Sequence, residues 1–148
     1  MPQGKLDVVR TLIPQGRDIA PLFRDERAFA QVREALDPLV LNDFENVVVV
    51  PGQTRTGRGT DGMRDNWLDW LEPWATYRVH IDELTELGDR VLALTRHFGR
   101  RKDMEAEVEM IAAVILTFRD GRVARWEDYA ERDAGLDAWS AHTSTSAP

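Results

Sequence analysis

The sequence contains no cysteine, so neither a disulfide framework nor a thiolate metal site is available, and its stability has to come from a packed core. Positive charge is scarce: 19 Lys and Arg stand against 26 Asp and Glu, a formal net charge of -7. Proteins that grip phosphate backbones do so with clustered cations, and this balance speaks against nucleic acid as a partner. No 18 apolar residues run together, which argues against a membrane span. The N-terminal Met1-Pro2-Gln3-Gly4-Lys5-Leu6-Asp7 lacks the apolar stretch of a secretory signal. A cytoplasmic, unprocessed chain is therefore expected. Gly-x-Ser-x-Gly and phosphate-cradling Gly-Lys-Ser/Thr patterns are missing, which removes nucleophile-elbow and nucleotide readings. The histidines, His80, His97 and His142, show neither His-x-His nor His-Glu-x-x-His spacing, so no metal site and no cofactor is expected.

What is present fits one globular domain. With 148 residues, 43% hydrophobic and 30% charged, the chain is long enough to bury about two-thirds of its unfolded surface. Leu6, Val9 and Ile13 share a helical face that Pro14 ends. A further turn starts at Asp18, and Phe29, Val32 and Leu36 mark a helix after Asp25 that stops at Asp37-Pro38. Asn46 to Val50 reads as a strand. The glycine-rich loop Pro51 to Thr60 separates it from a helix with Trp67, Trp70, Leu71 and Trp74 on its apolar stripe, ending near Glu72-Pro73. From Tyr77 the period changes to two: Tyr77 to Leu87, Val91 to Phe98, Val108 to Phe118 and Val123 to Ala130 read as strands. Helices followed by a meander predict an α+β domain with helices on one face of a curved antiparallel sheet. Ala134 to Trp139 add a helical turn, and residues 141–148 form a polar tail expected to be disordered and dispensable.

The last two strands hold the most informative residues. Asp120-Gly121 between apolar runs is a strong hairpin signal, and the return strand carries Asp128 two residues after Trp126. A three-residue loop would place Met110, Ala112, Val114, Leu116 and Phe118 on one face with Trp126 and Asp128. A two-residue loop would move Asp128 to the opposite, mixed face. That mixed face, with Ile111, Ala113 and Ile115 between charged rows, is the expected surface of a homodimer.

The segments Leu87-Gly88-Asp89-Arg90-Val91, Phe118-Arg119-Asp120-Gly121-Arg122-Val123 and Trp126-Glu127-Asp128-Tyr129 resemble the nuclear transport factor 2-like superfamily, which includes ketosteroid isomerases, limonene-epoxide hydrolases and SnoaL-like polyketide cyclases. The resemblance runs from about Leu6 to Ala138. It implies a cone-shaped apolar pocket, with Asp128 inside it as in the hydrolases' Trp-x-Asp-Tyr strand, and so favours the three-residue loop. The hydrolases pair that Asp with an Arg-x-Asp strand. Here the matching strand is Thr95-Arg96-His97-Phe98, which keeps the arginine and replaces the second carboxylate by Phe98. His97 would then alternate outward. The proton-abstracting carboxylate of the isomerases falls at Val50, which cannot do that work.

The implied function is a cofactor-free enzyme using Asp128 and Arg96 for acid–base chemistry on a hydrophobic, cyclic or polyketide-like small molecule, of epoxide hydrolase, cyclase or isomerase type. Trp67, Trp70, Tyr77, Phe98, Met110, Val114 and Trp126 are the expected substrate-binding residues. The alternative is a non-catalytic pocket for a small apolar ligand, or an interaction module, on the same fold. Each residue also has a plainer explanation: Asp128 as a satisfied strand-end carboxylate, Arg96 as a solvated strand residue, and the tryptophan stripe as ordinary core.

Overall fold

The computed structural model describes residues 4–146, with side chains through Ala141. The N-terminal third is helical. α1 (Lys5–Leu12) stops before Pro14, α2 (Ala20–Arg24) opens with Pro21 in its first turn, and α3 (Glu26–Leu36) follows directly. β1 (Val40–Val50) and β2 (Gln53–Arg58) form a hairpin, and α4 (Gly59–Leu71) then ends two residues before Pro73. β3 (Trp74–Leu87), β4 (Arg90–Arg101), β5 (Glu107–Arg119) and β6 (Arg122–Tyr129) are a continuous meander, closed by α5 (Arg132–Ser146).

The six strands make one sheet in the order β2-β1-β6-β5-β4-β3. Its pairings are antiparallel except β1 with β6, which run parallel, so the sheet is mixed where an all-antiparallel one was expected. The α+β cone otherwise matches the expectation. α1 to α4 cover the concave face and enclose a core that includes Val9, Phe29, Phe44, Met63, Leu71, Tyr77 and Leu116.

The β5–β6 hairpin decides which side chains enter that concave space. Its loop has two residues: Arg119 faces Arg122, and Asp120 (φ 55) with Gly121 (φ 80) takes the left-handed pair that matches the twist of adjoining strands. Taken alone, this loop would put Asp128 on the convex face. The ladder slips by one residue between Phe118–Val123 and Thr117–Arg125, leaving Ala124 unpaired. This bulge restores the phase, so Leu116 faces Trp126 and Val114 faces Asp128. The expected loop is wrong and the expected face is right, because two one-residue departures in the same direction add to a two-residue shift, which changes the partners and keeps the face.

The convex face corrects the expected dimer surface. Ala113 and Ile115 are fully buried and form a second cluster with Leu92 and Tyr129, covered by Leu136, Ala138 and Trp139 of α5. Only Ile111, 47% exposed, remains open of the three residues expected to associate. Arg132 fastens the start of α5, donating to the backbone oxygens of Ala112 (3.1 Å) and Thr95 (2.6 Å) and to Asp82 (3.0 Å). The helix is longer than the expected turn. Residues 147 and 148 of the expected tail, and its side chains from His142 onward, lie outside the described residues.

Close docking of α5 depends on Gly135, where a Cβ would lie 2.6 Å from Ala113 Cβ and 3.2 Å from Tyr129 Cβ. Gly135→Val is expected to force the helix off the sheet and lower stability by about 1–3 kcal/mol, measured by urea denaturation. An unchanged midpoint would show that α5 docks loosely.

Candidate functional site

Between the concave sheet face and α1 to α4 lies a cavity of about 240 Å³. Its wall is mostly aliphatic and aromatic, and the polar groups reaching it are Thr11, Arg17, Gln31, His97 and Asp128. A smaller recess of about 30 Å³ adjoins it, sharing Trp67, His97, Val114 and Asp128. Asp128 therefore stands on the wall between the two spaces.

Asp128 is held from both sides. Trp126, two residues earlier on the same face, donates its indole N–H to Oδ1 (3.0 Å). Asn46, on the parallel neighbour β1, donates to Oδ2 (3.1 Å) and to the Trp126 carbonyl (3.3 Å). Asn46 is itself oriented by α4, where Asn66 donates to its side-chain oxygen (3.0 Å) and its backbone oxygen (3.2 Å). Both amides are buried. The Asn66 → Asn46 → Asp128 chain fixes the direction of each amide, because Asn66 spends its NH₂ on two acceptors of Asn46. No cation is paired with Asp128 among the described residues. Burial pushes its carboxyl up to about 7, against the opposing pull of the Asn46 and Trp126 hydrogen bonds.

A second polar group faces the same cavity. His97 lies opposite Val79 on β3 and Met110 on β5. Its Nδ1 is 2.6 Å from the Tyr77 hydroxyl, and its Nε2 is 3.1 Å from Thr95 Oγ1. Burial, aided by the positive charge of Arg132, pushes the imidazole down to about 4, so it is neutral at ordinary pH. Trp70 also hydrogen-bonds Tyr77. An indole only donates, which leaves the Tyr77 O–H to donate to Nδ1 and places the imidazole proton on Nε2, toward Thr95. Tyr77 is fully buried and its hydroxyl is pushed well above its usual range, chiefly by that burial. Both ring nitrogens of His97 are thus committed, and it serves the site as a fixed neutral dipole.

The expected site residues divide cleanly. Trp67, Val114, Trp126 and Asp128 line the main cavity, and Trp70, Tyr77 and Met110 line the recess. Arg96 and Phe98 do not belong. Arg96 faces Ile111 across the β4–β5 ladder on the convex side, where it is 38% exposed and pairs with Glu109 and Asp82. Phe98 packs there against His80 and under Arg78. The phase of β4 is one residue off the expected one, so His97, expected to point outward, takes the inward place. Asn46 and Asn66 were missed. Asn46 heads the apolar run Val47-Val48-Val49-Val50, and Asn66 lies on the buried stripe of α4 between Met63 and Trp70; an amide on an apolar face was the available signal.

The family model of the SnoaL-like domain matches residues 25–126. The chain belongs to the SnoaL-like domain family. Solved structures share its fold at low identity. TerC co-crystallized with polyporic acid matches with a TM-score of 0.64 at 18% identity, over 90% of this chain and 95% of that one. A protein described as a putative SnoaL-like polyketide cyclase, from a Jannaschia species, matches at 0.58 and 15%, over 86% and 89%. An LEH-like epoxide hydrolase of M. tuberculosis matches at 0.51 and 16%, over 83% and 75%. No curated protein matches the sequence. Among the described residues, no helix is long and apolar enough to cross a membrane and no cluster of His, Asp and Glu has metal-binding geometry.

The two buried groups pull stability in opposite directions. Asp128 is raised from 3.8 to about 7, so between those values the folded state holds a proton the unfolded state has lost, and stability falls as pH rises. His97 is lowered from 6.5 to about 4, so between those values the unfolded state holds the extra proton, and stability rises with pH. Asp128→Asn should unmask a rise approaching about 1.4 kcal/mol per pH unit between pH 4 and 6.5. His97→Gln, whose amide can keep both partners, should unmask a fall over pH 4 to 7. Urea midpoints across this range test both; parallel curves for wild type and variants would refute the assignment.

Proposed function

We propose that this SnoaL-like protein is a cofactor-free enzyme in which Asp128 moves a proton on an apolar, ring-containing or polyketide-like substrate. The observation that carries the reading is the state of Asp128. It is a cavity carboxyl with no neighbouring cation, held by Trp126 and Asn46, with an affinity for protons near neutrality. A group matched to the working pH is most effective as a proton shuttle.

The cavity favours one type of reaction within this class. Epoxide opening needs a base for water and an acid for the leaving oxygen at the same time. His97 is neutral with both nitrogens engaged, and the Tyr77 proton is already directed at His97, so Asp128 works alone. A single carboxyl suits reactions in which the same group takes a proton and later returns it. Ionised Asp128 removes a proton from carbon beside a carbonyl, and the electron pair moves onto the carbonyl oxygen. The enolate carbon either attacks a second carbonyl, closing a ring, or is reprotonated elsewhere along the conjugated system. Protonated Asp128 then returns its proton to the new alkoxide or carbon. Cyclisation and isomerisation therefore rank above hydrolysis.

A non-catalytic ligand pocket is the second reading. It is favoured by the fact that both Asp128 oxygens already accept a hydrogen bond, which a purely structural carboxyl would also show.

Asp128→Asn is expected to lower turnover of an activated-methylene polyketide analogue by about 10²–10⁴-fold, while circular dichroism confirms the fold. In the wild type, kcat/KM should rise with pH through about 7 as Asp128 ionises. Arg96→Gln should leave that limb in place, because Arg96 lies on the convex face. Full activity of Asp128→Asn would exclude the catalytic reading and leave the ligand pocket.

A further inference from the structure

We infer that the cavity takes an apolar molecule bearing a carboxylate, and that Arg17 at the cavity wall is the residue that selects for it. This deepens the proposed reading of the cavity as the substrate site. Of the side chains lining the cavity, Arg17 is the cation, and Asp128 and the neutral His97 are the other titratable groups. Asp128 sits on the sheet, against the indole of Trp126. Arg17 comes from the loop between α1 and α2, on the helical side, and is exposed. The cavity is thus an apolar space with a proton-carrying carboxyl on one wall and a cation on another.

Two independent features mark Arg17 as a binding group. The first is that its guanidinium is uncommitted: among the described residues it makes no ion pair and no side-chain hydrogen bond. Most other arginines here are engaged, as Arg10 is with Asp7, Arg78 with Glu107, Arg96 with Asp82 and Arg125 with Glu45. Other arginines also lack a carboxylate, Arg24 and Arg64 bonding only backbone oxygens, but Arg17 is the arginine that lines the cavity.

The second feature is that the backbone carrying Arg17 is pinned on both sides. Gly16 N–H donates to Val79 O (3.1 Å) and Ile19 N–H to Tyr77 O (2.8 Å). Asp18 Oδ1 accepts from the backbone N–H of Tyr77 (2.9 Å) and of Ala20 (3.1 Å), and Gln15 Oε1 accepts from Ile81 N–H (2.9 Å). Gln15, Gly16, Asp18 and Ile19, on either side of Arg17, are thus tied to β3 or α2, while its own side chain is left free. A fixed backbone anchor spares the cost of ordering the loop, so that only the side chain's own rotamers are lost on clamping a planar anion, and the fork of donors matches a carboxylate. Thr11 and Gln31, which also line the cavity, supply neutral polar groups. The apolar body of the ligand then lies against Leu22, Val32, Met63, Trp67 and Trp126, with its reacting carbon toward Asp128.

The test uses three probes of one shape on the full chain: naphthoate, naphthamide and naphthylmethylammonium, followed by titration calorimetry at low salt. Naphthoate should bind about tenfold more tightly than naphthamide, the ammonium weakest, and added salt should narrow the gap. Arg17→Ala should weaken naphthoate alone and erase the preference, and Arg17→Lys should restore part of it. Asp128→Asn, which leaves Arg17 untouched, should keep the preference, so the outcome is separable from the fate of the acid–base reading. The inference is overturned if wild type binds naphthamide as well as naphthoate, if naphthoate does not bind, or if Arg17→Ala weakens all three probes alike.

Discussion

The pairing of β5 with β6 constrains everything else at the site. A strand has two faces and one register error exchanges them, so the single unpaired residue Ala124 decides whether Trp126 and Asp128 meet the cavity or the convex face under α5. With that phase set, Asp128 lies in one cross-strand row with Val48 and Val114, and Trp126 in the next row with Asn46 and Leu116. The hydrogen bonds to the carboxyl follow from these rows. Asn46 reaches Asp128 because β1 lies beside β6, and Asn66 reaches Asn46 because α4 crosses over β1. Turn chemistry at Asp120-Gly121 is thus converted into chemistry at the cavity wall.

The electrostatics of the cavity are a contest between burial and hydrogen bonding. Burial alone would drive Asp128 fully toward its neutral form, while two donors from neutral side chains partly restore the charged one. A cation in place of either donor would have held the carboxyl ionised. On β4, two strands along the sheet, burial strips His97 of its proton and the Tyr77 and Thr95 contacts lock the neutral ring. The protein thereby keeps one group near its switching point and silences its neighbour. Arg96, Asp82 and Glu109 are gathered into ion pairs on the convex side, while Arg132, paired with Asp82, adds its positive charge to the lowering of His97.

Local signals in the sequence were dependable. Pro14, Pro38 and Pro73 follow the ends of α1, α3 and α4, and alternation located β3 to β6 within a few residues. What local signals could not carry was who pairs with whom. β2 was hidden in a glycine-rich stretch, and the parallel β1–β6 pairing joins segments about eighty residues apart. The same limit governed the site. The tryptophans of α4 followed from helical spacing, whereas alternation left Asp128 on either face and the likeness to the hydrolases chose the inward one. Arg96 was placed inward by likeness to other proteins, whereas the ladder partner of its strand neighbour, His97 opposite Met110, assigns the inward place to the histidine. Asn46 and Asn66 work as a pair across two elements, and nothing in the spacing of either announces the other.

The parallel pairing of β1 with β6 also has a kinetic meaning. The acid, its indole donor and the helix that seals the convex face all lie beyond residue 125, while the amides that orient the acid lie before residue 67. Contacts this distant in sequence form late, because loop closure must precede them. During synthesis the helices and the first hairpin emerge with an apolar concave surface and no partner strand to cover it. The site therefore comes into being in a single late event, when β6 inserts between β1 and β5. A chain cut short of that strand would carry most of the cavity lining without the carboxyl it was built around.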